Sequence, residues 1–156
     1  MREFLDAAFG GRLRFGVPLG VAADVSVRAG RLDCWSCGAE TWIVTGVDVD
    51  VGLHEFSFSV PDLGDHPDLF GTVGRHLHPG LGLGPIRRRF SRTQGRSYLS
   101  NGCAHCGALI GEFFEHDAWD DQEEVCRFAI RVDERWRQAI VGHDGYEEGW
   151  GVYPPA

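Results

Sequence analysis

The sequence predicts an α+β fold: a small antiparallel β-structure with a few short helices, organised around a split four-cysteine zinc ribbon within a single domain over residues 1–156. Three observations lead there. Two cysteine pairs, each closed by glycine, stand at Cys34-Trp35-Ser36-Cys37-Gly38 and Cys103-Ala104-His105-Cys106-Gly107. Strand-like alternation of apolar and polar residues flanks both of them. Glycine is plentiful, at 22 residues, which calls for many turns and short elements, while 43 % hydrophobic residues supply a core.

The elements follow in order. Residues 1–9 place Phe4, Leu5, Ala8 and Phe9 on one side of a short amphipathic helix that Gly10-Gly11 ends. Val25 and Val27 alternate with polar neighbours in a strand over Ala23–Arg28, and Ala29-Gly30 reads as the turn after it. Beyond the first cysteine pair, Thr41-Trp42-Ile43-Val44-Thr45 is a β signal that continues through Val47, Val49 and Val51. Glu55–Val60 repeats the alternation with Phe56, Phe58 and Val60 on one face, so the two runs are expected to pair across Gly52-Leu53-His54. Pro61 to Pro67 is turn-rich and acidic. A helix is predicted over His66–His78, where Leu69, Phe70, Val73 and Leu77 recur at helical spacing, and the glycine-rich run Pro79 to Pro85 ends it. Tyr98-Leu99 leads to the second cysteine pair, and Ala108 to Phe114 reads as the strand leaving it. Val125–Val132 alternates as a strand, although Val125, Phe128, Val132, Trp136 and Ile140 fit a helix equally well. The reading adopted is a strand to Val132 and then a short helix through Trp136, with Trp150 to Ala156 as a docked or frayed tail.

The cysteines carry the clearest chemistry. A tetrahedral dication takes four soft ligands at about 2.3 Å, and a C-x-x-C turn supplies two of them. Glycine after the second cysteine takes the positive φ that lets the chain fold back under the metal. Cys34, Cys37, Cys103 and Cys106 are therefore the expected ligands of one structural Zn²⁺. Four thiolates close the coordination shell, so no catalytic position is expected. The segment between the pairs, Ala39 to Gly102, is longer than the about 15–20 residues of compact ribbons, so the fold must bring distant segments together. Redox pairs are the less natural reading, because a thioredoxin-type C-x-x-C opens a helix. Iron in a rubredoxin-like centre is disfavoured by the long insert. The fifth cysteine, Cys126, reads as a small buried hydrophobe rather than a reactive thiol.

Arg87, Arg88, Arg89, Arg92 and Arg96 form a basic cluster next to Phe90 and Tyr98. Guanidinium groups grip phosphates and stack on bases, so these five are the candidate phosphate or nucleic-acid contacts. The alternative is a solvated segment paired with acids such as Asp117, Asp120, Asp121, Glu123 and Glu124, which a net charge of −8 favours. Gly80 to Gly84 lacks the ending of a phosphate-binding loop. No histidine pair has helical metal-ligand spacing, and an enzyme would need a cavity holding His54, His76 or His116 beside a carboxylate. No apolar run approaches the roughly 18 residues of a membrane span, and the N-terminus has no signal-peptide core. A cytoplasmic chain without membrane attachment is expected.

The run Arg89-Phe90-Ser91-Arg92-Thr93-Gln94-Gly95-Arg96-Ser97-Tyr98-Leu99-Ser100-Asn101-Gly102-Cys103-Ala104-His105-Cys106-Gly107-Ala108-Leu109-Ile110-Gly111-Glu112-Phe113-Phe114, taken with Cys34-Trp35-Ser36-Cys37, resembles a group of bacterial zinc-ribbon-like proteins of unassigned function. Their pattern has a proline where Ala104 stands here. The resemblance covers about a third of the chain, implies four cysteine ligands and brings no activity with it. Tyr98 and Asn101 sit where they would brace the second knuckle, and Phe113 and Phe114 where they would shield the metal from water. The function expected from the whole is a zinc-built module acting by recognition of another macromolecule. Protein is preferred as the partner because the chain is acidic and offers Trp35 and Trp150 as exposed aromatic residues. The alternatives are a nucleic-acid-binding or processing accessory using the arginines, and an enzyme whose active site the sequence does not reveal.

Overall fold

The structure is a computed structural model that describes residues 13–52, 54–143 and 150–152, with side chains over 16–52 and 54–143. The helix expected over residues 1–9 lies outside the described residues. Nine strands are described: β1 (Leu13–Phe15), β2 (Ala22–Asp33), β3 (Glu40–Val51), β4 (His54–Phe58), β5 (Arg87–Ser91), β6 (Arg96–Gly102), β7 (Leu109–Ile110), β8 (Glu123–Arg131) and β9 (Trp150–Val152). Four helices join them: α1 (Val60–Leu63), α2 (Pro67–His76), α3 (Glu112–Glu115) and α4 (Glu134–Val141). Two 3₁₀ turns, Pro79–Leu81 and His116–Ala118, complete the described elements. The strands form a pair β1-β9, a four-stranded sheet ordered β4-β3-β2-β8 and a three-stranded sheet ordered β5-β6-β7. The pairings β1–β9, β5–β6 and β6–β7 are antiparallel. The α+β architecture is as the sequence predicts.

Burial follows strand position. The inner strands β2 and β3 are buried along most of their length, with Val25, Val27, Ile43, Val47 and Val49 fully enclosed. The outer strand β8 alternates instead: Cys126, Phe128 and Ile130 are half-buried, while Arg127, Ala129 and Arg131 are exposed. That is the pattern of a strand covered on one face.

Contacts group the chain into two units, each assembled from separate segments. The first comprises Met1–Val25, Asp48–Ser57 and Phe128–Ala156. Within it, α4 starts at Asp133, whose side chain accepts the Trp136 N–H at 3.0 Å. That hydrogen bond, helped by Arg135, holds the Asp133 carboxyl below its ordinary value. Trp136 and Ile140 are buried one turn apart. The ambiguous segment is therefore both things in succession, strand to Arg131 and then a helix that runs beyond Trp136 to Val141.

The second unit comprises Ser26–Val47 and Phe58–Arg127. Three expectations are corrected in and around it. Ala29-Gly30 is no turn, because β2 runs straight through it to Asp33. Glycine is needed there for another reason: a Cβ at Gly30 would fall on the Ala118 carbonyl oxygen. The strand expected to reach Val60 stops at Phe58. Ser59 instead caps α1, accepting the Asp62 N–H while the Asp62 carboxylate accepts the Ser59 N–H at 2.8 Å. The strand expected over Ala108 to Phe114 is only Leu109–Ile110, after which Gly111 opens the single turn α3. The helix expected over His66–His78 is present as α2, with Leu69 and Val73 buried.

Candidate metal centre and the surface beside it

Each cysteine pair sits on a tight turn between or after strands of the second unit, and the two turns are built alike. In the first, the Gly38 N–H donates to Cys34 O at 2.8 Å, the Cys34 N–H donates to Ala39 O at 2.9 Å, and the Ser36 N–H points at Cys34 Sγ at 3.4 Å. In the second, the Gly107 N–H donates to Cys103 O at 2.9 Å, the Cys103 N–H donates to Ala108 O at 2.9 Å, and the His105 N–H points at Cys103 Sγ at 3.3 Å. Gly38 and Gly107 have φ of +73° and +72°, a conformation in which a Cβ would be strained.

The four sulfur atoms of Cys34, Cys37, Cys103 and Cys106 lie within 4.8 Å of one another. Cys34 faces Cys106 at 3.7 Å and Cys37 faces Cys103 at 3.8 Å. Four sulfurs at about 2.3 Å from a central dication would be separated by about 3.8 Å along each edge of the tetrahedron. The spacing fits a metal and is far from the about 2.05 Å of a disulfide. All four cysteines are free. Cys34 and Cys103 are buried in an apolar cluster with Leu32, Ile43, Ile110 and Ala118, whereas Cys37 and Cys106 are exposed.

The thiols also influence one another electrostatically. For Cys37, the Ala39 backbone N–H favours the thiolate. Desolvation and the facing sulfurs of Cys103, Cys106 and Cys34 outweigh it, and the pKa is raised to about 11. For Cys103, desolvation opposes ionisation, but the backbone N–H groups of Cys106 and His105 and the thiols of Cys34 and Cys106 bring the pKa down to about 6. Charge on one sulfur makes the next harder to ionise, and a dication at the centre offsets that repulsion.

Three contacts tie the two turns across the site. Trp35 Nε1 donates to Leu109 O at 2.7 Å. The Ala104 N–H donates to Thr41 Oγ1 at 2.9 Å. His105 Nε2 lies 2.9 Å from Glu40 O, so the exposed imidazole holds backbone rather than metal. Thr41 and Leu109 were not distinguishable as partners in the sequence. The departure at Ala104 has a local consequence, since a proline there would have no N–H to give Thr41.

Asn101 does not brace the knuckle as expected. It is fully buried, and its Nδ2 donates to Val44 O at 2.7 Å and to Glu115 Oε1 at 2.8 Å, linking β6 to β3 and α3. Glu115, which the sequence reading overlooked, is a buried carboxyl whose pKa is raised by desolvation against the opposing Asn101 hydrogen bond. Phe113 and Phe114 are not a shield of buried rings either, since Phe113 is 80 % exposed. Phe114 stacks with Trp35 at 6.4 Å between centroids, and Phe113 meets Phe114 edge-on at 5.4 Å. Cys126 is half-buried and donates its thiol to His76 O at 3.2 Å; desolvation, then Glu124, push its pKa up, the opposite of an activated nucleophile.

The arginines lie on the β5–β6 hairpin. Arg89 is committed internally, with Nη1 on Ser100 O at 2.8 Å and Nη2 on Pro85 O at 2.9 Å. Arg88 donates to Ser97 O at 3.3 Å. Arg96 donates to Gln94 Oε1 at 3.0 Å and lies 5.5 Å over the Tyr98 ring. Among the described residues, no carboxylate pairs with Arg87, Arg88, Arg89, Arg92 or Arg96, so the charge-paired segment favoured from the sequence is not what forms. Ion pairs are made instead by Arg31, Arg127, Arg135 and Arg137, among others. Asp117, Asp121 and Glu123 instead line a polar cleft of about 660 Å³ with Arg31, Asp33, Glu40 and Trp42.

A second cleft of about 410 Å³ lies at the tip of the hairpin, where Trp35, Phe90, Tyr98, Leu109, Phe113 and Phe114 meet Arg92, Thr93, Gln94 and Glu112. Neither cleft contains a histidine. His76 and His116 place Nδ1 at the Thr72 and Phe113 carbonyls of their own segments. Among the described residues, no helix is long and apolar enough to cross a membrane. Trp150 lies in β9, outside the residues with described side chains. Compared with family models, with curated proteins and with solved structures, the chain has no match in any of the three.

Proposed function

We propose that this chain is a zinc-built recognition module: Cys34, Cys37, Cys103 and Cys106 hold one structural Zn²⁺, and the surface that the two turns carry recognises another protein. The observation that carries the metal reading is the sulfur tetrad, with facing separations of 3.7 and 3.8 Å and an all-thiolate donor set. Soft thiolates in a tetrahedral arrangement suit Zn²⁺, and four of them leave no open position for a substrate. When bound, the ion supplies a crosslink between segments distant in the chain. The chain's own residues supply the rest, with N–H groups directed at the sulfurs and the Trp35, Ala104 and His105 contacts locking one turn to the other.

Recognition is supported by exposed aromatic rings of Trp35, Phe90 and Phe113 gathered at one cleft. Isolated exposed apolar residues are ordinary, but a contiguous group of this kind marks an interaction surface. One observation favours a second reading, as a nucleic-acid accessory: the hairpin arginines have no carboxylate partners among the described residues. Elemental analysis of the purified full chain tests the first reading. One zinc per chain is expected, and a Cys37→Ser/Cys106→Ser variant that still retains a full equivalent would overturn the ligand assignment.

A further inference from the structure

Four of the seven large hydrophobic side chains exposed among the described residues (Trp35, Phe90, Phe113 and Phe114) line a single cleft. Its walls have different origins. Trp35 comes from the first knuckle, Phe90 from β5, and Phe113 and Phe114 from α3. Trp35 is held by its hydrogen bond to Leu109 O and by stacking on Phe114, so this wall is preformed. The opening, at about 410 Å³, suits one large apolar side chain with part of its backbone rather than a folded domain face.

Charge chooses among occupants. Arg92 lines the cleft and makes no hydrogen bond or ion pair among the described residues. Arg96 lies over Tyr98, another lining ring, and among the described residues its one hydrogen-bond acceptor is the neutral Gln94. Arg88 donates only to a backbone carbonyl. Arg88, Arg92 and Arg96, like the other arginines of this hairpin, have no carboxylate partner among the described residues, and in a chain with 23 acidic residues they form a local positive field. Nucleic acid would bring a phosphate with every nucleotide against a net charge of −8 and would meet Glu112 in the cleft. A peptide with two or three carboxylates matches the available arginines. Among the described residues β5 has only β6 as a strand neighbour, so its other side is an edge on which an extended backbone can lie.

We propose that the Trp35–Phe90–Phe114 cleft binds an extended acidic peptide of another protein, with one large apolar side chain seated among the rings and flanking carboxylates on Arg92 and Arg96. This rests on the protein-recognition reading above and names its ligand class.

The test selects twelve-residue peptides from a random display library against the zinc-loaded full chain, with a random single-stranded RNA pool selected in parallel. The expected result is a consensus of one aromatic or aliphatic residue flanked by Asp or Glu. A synthetic consensus peptide should lose roughly tenfold or more in affinity with either Phe90→Ser or Arg92→Glu, and replacing its acids by amides should do the same. Both replaced side chains are exposed, so the thermal melt should be unchanged. Neutral or basic peptides that still require Phe90 would overturn the acidic assignment while leaving protein recognition standing. Enrichment of RNA alone, or of nothing, from folded zinc-loaded protein would overturn both. A self-associated chain, dissociated by Phe90→Ser in light scattering, would give the cleft to a second copy and overturn the proposal. Zinc content measured on the same preparations separates any of these from a failure of the metal reading.

Discussion

Removing the metal should lower the melting temperature by an amount set by loop closure. Cys37 and Cys103 are 66 residues apart and Cys34 and Cys106 are 72 apart, yet their sulfurs face each other at 3.8 and 3.7 Å. A bridge across a loop of that length withdraws about 4 kcal/mol of entropy from the unfolded chain at 25 °C. A metal bound by one knuckle alone closes only a four-residue turn and gives almost none of this. For a chain of this size, 1 kcal/mol corresponds to about 2–4 °C in melting temperature, so loss of the inter-knuckle bridge predicts a fall of about 8–16 °C. Calorimetry of the zinc-loaded and chelator-stripped full chain measures it. Cys37→Ser and Cys106→Ser should each produce most of that fall. The double variant should fall little further, because the three thiolates left by either single substitution no longer retain the ion and the bridge is lost with it. Cys126→Ser, outside the tetrad, should leave both metal content and melting temperature in place. A drop of less than about 3 °C on stripping a full equivalent of zinc would refute the reasoning. So would strict additivity of the two single variants.

Three further perturbations test the contacts around the site. Ala104→Pro removes the N–H that serves Thr41 Oγ1 and leaves a buried hydroxyl without that partner; urea denaturation should show a loss of about 1–3 kcal/mol with zinc content unchanged. Gly30→Ala drives a Cβ into the Ala118 carbonyl and forces β2 and the 3₁₀ turn apart, and a destabilisation of about 1–3 kcal/mol is expected in the same assay. Glu115 has a folded pKa above its ordinary 4.5, so the folded chain binds its proton more tightly than the unfolded chain does. Its contribution is therefore complete below that ordinary value and is lost as pH rises through the folded one. Glu115→Gln keeps an acceptor for Asn101 and cannot ionise. The stability difference between variant and parent should shift in favour of the variant as pH rises from 4.5 to 8, measured with excess zinc so that metal loss does not enter the comparison.

The cysteine cluster was legible because its signals are local. A C-x-x-C-G turn is closed by its own backbone, and positive φ at Gly38 and Gly107 needs no distant partner. Strand β8 was legible because alternation survives on an outer strand covered on one face, and β3 because its β-branched residues suit a strand buried along most of its length. The errors arose where a residue's role is set from far along the chain. Gly30 reads as a turn in isolation, but Ala118, 88 positions later by residue number, is what demands a missing side chain. Phe113 and Phe114 read as strand because aromatic residues favour sheets, yet Gly111 starts a helical turn that spreads them over the surface. Asn101 and Glu115 are polar residues of the kind found on any surface. Nothing local distinguishes the pair that meets at 2.8 Å inside the fold.

Those distant dependencies also connect the cysteine site to the aromatic cleft. Trp35 is the residue next to a ligand, its indole is hydrogen-bonded to Leu109 just beyond the other knuckle, and its ring stacks on Phe114. One wall of the cleft therefore spans both halves of the cysteine site. The apolar cluster that holds the knuckles together contains few large side chains, with Leu32, Ile43 and Ile110 doing most of the packing around two buried cysteines. Each such side chain contributes about 1.5–3 kcal/mol when fully buried, so a bridge worth about 4 kcal/mol would add to the packing on the same scale. Four thiolates on one ion would tie together segments that this small cluster alone joins. On the proposed reading, such an ion would act without touching a ligand: holding Cys34 and Cys37 against Cys103 and Cys106 would keep Trp35 opposite Phe114, and so keep the cleft open in one shape.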